Sequence, residues 1–461
     1  MAPFRDFKRR AGFLLILFFT PALGIASEKE SATPLPLAAQ LVLSKVQPMI
    51  AAKEYQRAIE TLRVFQAHGG PASDSDEKDP KGYHHAEIEF CLGNCYLMGR
   101  QYAAAAEAYQ RALARDASHT YAWLNLANAH YESNHHADAG RCFGKAYETS
   151  TEKKPEYLYY SAVAYLMAED YRQSIDEFDQ LLTLHPDSIK PGWKEHMVHA
   201  LLAADQPRRA LPFIRELVRI YDGDKQIQWQ EILLHQYMQL DMQRDALNLA
   251  QTLTRQTPTL AKWWKALAHI QLNAEHYEAA LMALTIYSFL TPLSMDERKL
   301  LADLNLQLNI PVKAAPLYEA CLKEKPDKRM LQQLAVAYRQ LGKPETAIAA
   351  IDAVDPDSDD VDILLLKGEL YYSLEQFERA VEAYKKAARN KGRHVGRAWL
   401  MAGYAAWQLN DIAASKDAFT EAAKHRQQIE AANKALKQLA MLSVSDTHPH
   451  HPAKHDLIQQ P

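Results

Sequence analysis

A few side chains in the 461-residue sequence have the types and spacing that chemistry would need. His196 and His199, three apart beside Glu195, can offer two imidazoles to a metal from one helix face. No third ligand accompanies them, and a packed or solvated pair is the simpler reading. Cys91 and Cys95 are four apart. On a helix their Cα atoms would lie about 6 Å apart, within disulfide range, but side chains on one helix face are poorly aimed for the bond. Cys142 and Cys321 stand alone and read as buried thiols. After Leu442 the chain ends SVSDTHPHHPAKHDLIQQP, where His448, His450, His451 and His455 could chelate a transition metal weakly. The prolines among them forbid a helix, so 443–461 reads as a disordered tail.

Other chemistry is missing from the sequence. There is no Gly-rich phosphate loop, no H-E-x-x-H, no G-x-S-x-G and no C-x-x-C-H. No catalytic residue, metal ligand or cofactor is therefore assigned, and the expected class is non-enzymatic. The net charge of −4 lacks the basic excess that nucleic-acid binders carry. Gly is scarce, 16 residues in all. That scarcity leaves few sites for left-handed turns and favours helices with short connections over sheets.

The first 26 residues read as an address. Arg5, Lys8, Arg9 and Arg10 precede an apolar run from Ala11 to about Ile25, which closes on Gly24-Ile25-Ala26, a small-residue pattern that signal peptidase accepts. As a helix the run spans about 22 Å, short of the roughly 30 Å hydrocarbon core. The expectation is a secretory signal cleaved before Ser27, with an uncleaved inner-membrane anchor as the alternative. Either way the chain is exported, to the periplasm in a Gram-negative cell, and nothing later in it is apolar enough to span a bilayer.

The elements that must position everything else announce themselves by period. The small residues Ala58, Ala105, Ala139, Ser174, Ala210, Ala246, Ala280, Ala314, Ala347, Ala380 and Ser415 recur at intervals of 33–36 after a first interval of 47. The excess in that first interval is a Gly/Pro/Asp-rich insertion over about 68–82, HGGPASDSDEKDPKG, which reads as an exposed loop. Large residues follow four places after many of these positions, as in Tyr109, Phe143 and Phe178, and Pro258, Pro292 and Pro326 punctuate the chain every 34 residues. Two amphipathic helices of about a dozen residues fit each period. Small residues let the two backbones approach, and the large one fills the space above them. Neither helix can bury its apolar face alone, so the pairs must stack.

This spacing, with its Trp-x₂-Leu-Gly-x₂-Tyr half (Trp123, Leu126-Ala127; Leu92-Gly93, Tyr96), resembles the tetratricopeptide-repeat family over about residues 38–442. The resemblance implies an all-α solenoid, a right-handed superhelix of about eleven antiparallel helix pairs. The implied divisions are a flexible linker over 27–37, N-terminal repeats over 38–190, divergent ones over 191–258 and C-terminal ones over 259–426. A capping helix at 427–442 follows, with Lys434, Lys437 and Gln438 turned outward. The divergent units lack the aromatic, having Ile214 and Ala250 in its place.

In this family the first helix of each pair lines a concave wall through places 2, 5, 9, 12 and 13. The resemblance thus implies a partner-binding groove with Phe90, Asn94, Tyr121, Asn128, Tyr131 and Tyr159 in the N-terminal repeats. Asn94 and Asn128, both at place 9, would hydrogen-bond an extended backbone. Further along the same places hold Lys262, Lys265 and His269, then Arg329, Arg339 and Arg397, with Tyr404 and Trp407 at the end. That cationic strip suits an acidic tail, although Asp362 and Glu369 interrupt it. The family's carboxylate clamp is not implied, because its Lys and Arg partners do not flank the two Asn residues. The implied function is a scaffold holding one or more partner proteins or peptides in the cell envelope. Its architecture is similar to that of accessories of TonB-type energy-transduction systems. Scaffolding of outer-membrane assembly, polysaccharide export or cell-wall enzymes is the alternative. A metal carrier acting through the His-rich tail and a purely structural oligomer are the readings from other classes.

Overall fold

The computed structural model describes residues 35–70, 79–390, 392 and 394–445. The expected leader over 1–26, residues 27–34 of the expected linker, residues 71–78 of the insertion and those beyond 445 lie outside these. Every regular element among the described residues is helical: twenty-three α-helices and one 3₁₀ turn at Pro186–Ser188. The chain divides into two compact units, between Asp241 and Met242.

The first unit pairs α1 (Leu37–Ala51) with α2 (Tyr55–Ala67), α3 (Ala86–Met98) with α4 (Tyr102–Arg115), and α5 (Thr120–Glu132) with α6 (His136–Thr149). Next come α7 (Pro155–Met167) with α8 (Tyr171–Leu184), α9 (Pro191–Ala203) with α10 (Pro207–Ile220), and α11 (Gly223–Gln239). The second unit opens with α12 (Gln243–Gln256) and pairs α13 (Ala261–Asn273) with α14 (Tyr277–Leu290), and α15 (Met295–Gln307) with α16 (Pro311–Glu324). It continues with α17 (Lys328–Gln340) and α18 (Pro344–Val354), α19 (Val361–Ser373) and α20 (Phe377–Ala388), and α21 (Val395–Gln408) and α22 (Ile412–Ala422), before α23 (Ile429–Ser445). The expected all-α solenoid of antiparallel pairs is the architecture observed.

The periodic small residues sit where the backbones meet. All eleven, from Ala58 to Ser415, are at most 1% exposed. The aromatic residues four places on, Tyr109, Phe143, Phe178, Tyr318, Tyr384 and Phe419, are buried too. They lie over the small residue of the first helix. A Cβ added at Gly93 would stand 2.5 Å from the Tyr109 ring, at Gly368 2.4 Å from Tyr384, and at Gly403 2.5 Å from Phe419. Each buried ring contributes about 1.5–3 kcal/mol by leaving water, and over these three glycines its fit requires a missing side chain opposite.

The turns correct one expectation. Five residues before each small residue the backbone is left-handed: Lys53, Arg100, Asn134, Glu169, Asp205, Asp241, Glu275, Asn309, Gly342, Glu375 and Asn410 all have φ between 56° and 67°. Scarcity of Gly did not limit such turns, because only one of the eleven uses it. Their common hydrogen bonding explains the tolerance. Around Arg100, Gly99 N donates to Cys95 O at 3.0 Å and Gln101 N to Tyr96 O at 2.8 Å, satisfying the last carbonyls of α3. Nine further turns repeat the second bond, among them His135 to His130 and Asp411 to Ala406. Closing the pair fixes the backbone, and the side chain at that place accepts the strain.

At its C-terminal end the second unit buries Ala432, Ala435 and Leu439 of α23 against Leu400, Phe419 and Ala422, with Lys434 and Lys437 exposed. Among the described residues no helix is long and apolar enough to cross a membrane.

Candidate partner-binding surface

Successive first helices touch each other: α1 with α3, α3 with α5 and α7 with α9 in the first unit, α15 with α17 and α17 with α19 in the second. Second helices of neighbouring repeats make no comparable approach among the described residues. The first helices therefore crowd onto the inner wall of each unit. Which of their side chains remain available there depends on what the next repeat takes up.

On the first wall, several expected ligand contacts are spent inside the protein. Asn94 is buried, and its Oδ1 accepts from Tyr109 OH at 2.8 Å and from Asn125 Nδ2 at 2.7 Å. Phe90 is buried against Tyr109 and His119, with ring centroids 6.0 and 4.5 Å away. Tyr159 is buried and stacks on Trp193 at 4.5 Å, its hydroxyl 3.0 Å from His196 Nδ1. Burial there holds the His196 imidazolium form down, to about 4. These three side chains knit one repeat to the next and do not stand open in a groove. Tyr121, Asn128 and Tyr131, all on α5, are only half-buried and together form the open part of this wall. Tyr131 rests edge-on against His136 at 4.9 Å. Glu195 is a further link that the sequence did not single out for this role. It accepts from the Tyr221 hydroxyl and lies 2.5 Å from Lys225 Nζ.

The second wall carries the cations, but most face a carboxylate. Lys265 Nζ lies 2.7 Å from Glu297, which also accepts from Tyr287 OH and caps α15 through Ser294. Burial pushes the Glu297 carboxyl up, yet those bonds outweigh it and hold it at about 2. Arg339 and Arg397 share Glu369, at 2.9 and 2.7 Å. Lys262 is half-buried and lies over the Trp263 ring; His269 is exposed. Arg329 is exposed and lines a hollow of about 330 Å³ with Lys299, Asp303, Leu306, Tyr318 and Val336. Tyr404 and Trp407 are half-buried against Phe419. The strip expected to be cationic is thus largely neutralised from within. Glu369, read from the sequence only as an interruption of the strip, is what neutralises it, and its position was the signal: place 9, between arginines 30 residues before and 28 after.

All four cysteines are free thiols, Cys91 half-buried and the other three buried. The Cys91 and Cys95 thiols stay unlinked and are hydrogen-bonded to each other, which raises the Cys91 thiol and lowers that of Cys95.

Two tetratricopeptide-repeat profiles match the chain, one at residues 91–147, 124–189 and 333–395, the other at 396–429. The chain carries tetratricopeptide repeats. The buried small residues and left-handed turns carry the repeat through the stretch between those matches, at Asp205, Asp241, Glu275 and Asn309. No curated protein matches the chain. Among solved structures it is similar to a tetratricopeptide repeat protein from Parabacteroides merdae, at 16% identity over 54% of this chain and 98% of that one, with a TM-score of 0.32. Yeast Tom70 matches at 13% identity over 88% and 96%, with a TM-score of 0.30. The Naa15/Naa10 complex bound to HypK-THB matches at 13% over 88% and 79%, with a TM-score of 0.38.

Proposed function

We propose that this repeat protein is a non-enzymatic scaffold that holds a partner polypeptide on its inner walls. The observation that carries the reading is the trio Tyr121, Asn128 and Tyr131. On a wall where neighbouring polar and aromatic side chains are consumed by repeat-to-repeat bonds, these three on one helix keep area and an amide accessible. Half-exposed aromatic rings supply contact area at low entropic cost, and the amide pairs with an extended backbone. The apolar leader ending at Ala26 supports export to the periplasm, and the layout of leader plus repeats supports an accessory role in a TonB-type system.

The test is crosslinking and pull-down from the envelope fraction, comparing wild type with Tyr121→Ala/Asn128→Ala/Tyr131→Ala. A partner held on this wall is lost from the variant while the circular-dichroism helix signal is unchanged. Retention of every partner removes the α5 assignment. The mass of the purified chain tests cleavage of the leader separately, with Ser27 expected as the first residue and Met1 as the contrary result.

A further inference from the structure

Three repeats place a tyrosine where the second helix crosses the first, and they differ in what its hydroxyl meets. Tyr109, over Gly93, donates to Asn94 Oδ1 at 2.8 Å. Tyr318 donates to Asp303 Oδ1 at 2.6 Å. In both the acceptor is the place-9 residue of the same repeat. Tyr384 lies over Gly368 in the same way, and the residue at place 9 is Glu369. Here the bond is not made. Tyr384 is fully buried and its hydroxyl has no hydrogen-bond partner among the described residues. The Glu369 carboxylate is drawn outward instead: Arg339 Nη1 donates to Oε2 at 2.9 Å and Arg397 Nη2 to Oε1 at 2.7 Å. One guanidinium comes from the repeat before and one from the repeat after, and each takes its own oxygen.

We propose that Arg339 and Arg397 form a binding site for an acidic peptide segment, that Glu369 occupies it as an internal stand-in, and that Tyr384 receives the Glu369 carboxylate when a ligand displaces it. The proposal rests on the reading that the inner walls receive polypeptide partners, and it adds the chemistry of one subsite. An incoming Asp or Glu carboxylate makes the same two charge-assisted bonds that Glu369 makes now. Glu369 then turns to accept the Tyr384 hydroxyl, as Asp303 already accepts that of Tyr318. The exchange leaves no carboxylate unpaired and gives the orphaned hydroxyl its partner, which a buried polar group requires. Displacement is easy because Arg339 and Arg397 are about half exposed, and ion pairs so placed are weak. The two guanidiniums are spaced to grip a planar carboxylate, one on each oxygen, which favours an acidic side chain over free phosphate.

Fluorescence anisotropy of a fluorescein-labelled, C-terminally amidated hexaglutamate peptide on the full chain tests this. Glu369→Gln, which leaves the arginines unopposed, is expected to bind about tenfold more tightly than wild type. Adding Arg339→Gln or Arg397→Gln to that variant abolishes the gain. Tyr384→Phe weakens binding several-fold in the wild-type background, an estimate on the order of one lost hydrogen bond, and has no effect beside Glu369→Gln. The proposal is overturned if Glu369→Gln binds no better than wild type, or if Tyr384→Phe acts equally in both backgrounds. It is equally overturned if inorganic phosphate displaces the probe as well as unlabelled hexaglutamate does. The α5 triple variant leaves this peptide signal untouched, so failure here and failure of the scaffold reading are told apart.

Discussion

Tyr109 and Tyr384 occupy equivalent places and differ by one hydrogen bond, which gives opposite expectations for the same substitution. Tyr109→Phe leaves Asn94 short of a donor in a buried site and should cost about 1 kcal/mol. Tyr384→Phe removes a buried hydroxyl without a partner and should be neutral or stabilising. Denaturant midpoints of the two variants check this, and a larger loss at Tyr384 would contradict it. Glu177 gives a pH signature. Burial raises its carboxyl to about 7 against a bond from Ser161 that lowers it, and one of its oxygens has no hydrogen-bond partner among the described residues. Because the folded value lies above the unfolded one, near 4.5, its contribution is fully present below pH 4.5 and lost as pH rises through 7. Glu177→Gln should therefore match wild type at pH 4 and exceed it at pH 8, by at most about 3 kcal/mol. Thermal midpoints across that range decide it, and equal gains at both ends would refute it. None of this was legible in the sequence. Asn94 read as a groove ligand because its acceptor role depends on Tyr109, fifteen residues away on the other helix.

Each helix pair depends on two backbone positions. Gly93, Gly368 and Gly403 have a ring where a Cβ would go, so substitution by Ala should cost about 1–3 kcal/mol through overpacking. Gly192, with open space around it, should tolerate Ala or gain from it. The turn residues run the other way. Glu275 holds φ 59° and Lys53 φ 63°, conformations that cost an L-residue about 1–2 kcal/mol. Glu275→Gly should recover part of that, about 0.5–1 kcal/mol after the added freedom of the unfolded chain is subtracted, whereas Gly342→Ala should lose a similar amount. Chemical denaturation of these six variants tests both rules, and a destabilised Glu275→Gly would contradict the second. The small residues that mark each pair were readable because close packing restricts what can stand there. The turns were not, because backbone closure sets their geometry and leaves the side chain free to be Lys, Glu, Asp or Asn.

At the scale of the whole molecule, the period was legible because stacking repeats one packing problem along the chain, and every solution shows in the spacing of Ala and aromatic residues. The state of the walls was not. Whether Arg339 or Asn128 is available depends on neighbours about 30 residues away, and the type of a side chain does not say whether another repeat has already engaged it. The structure separates the two cases: Tyr121, Asn128 and Tyr131 remain partly open, while Arg339 and Arg397 are held by Glu369. The central claim is that first helices receive the partner and second helices only support them. Hydrogen exchange of the full chain, alone and with the partner recovered by crosslinking, tests it most directly. Added protection should fall on α5 and the neighbouring first helices α3 and α7 and leave α4, α6 and α8 unchanged. Protection confined to those second helices would contradict the account.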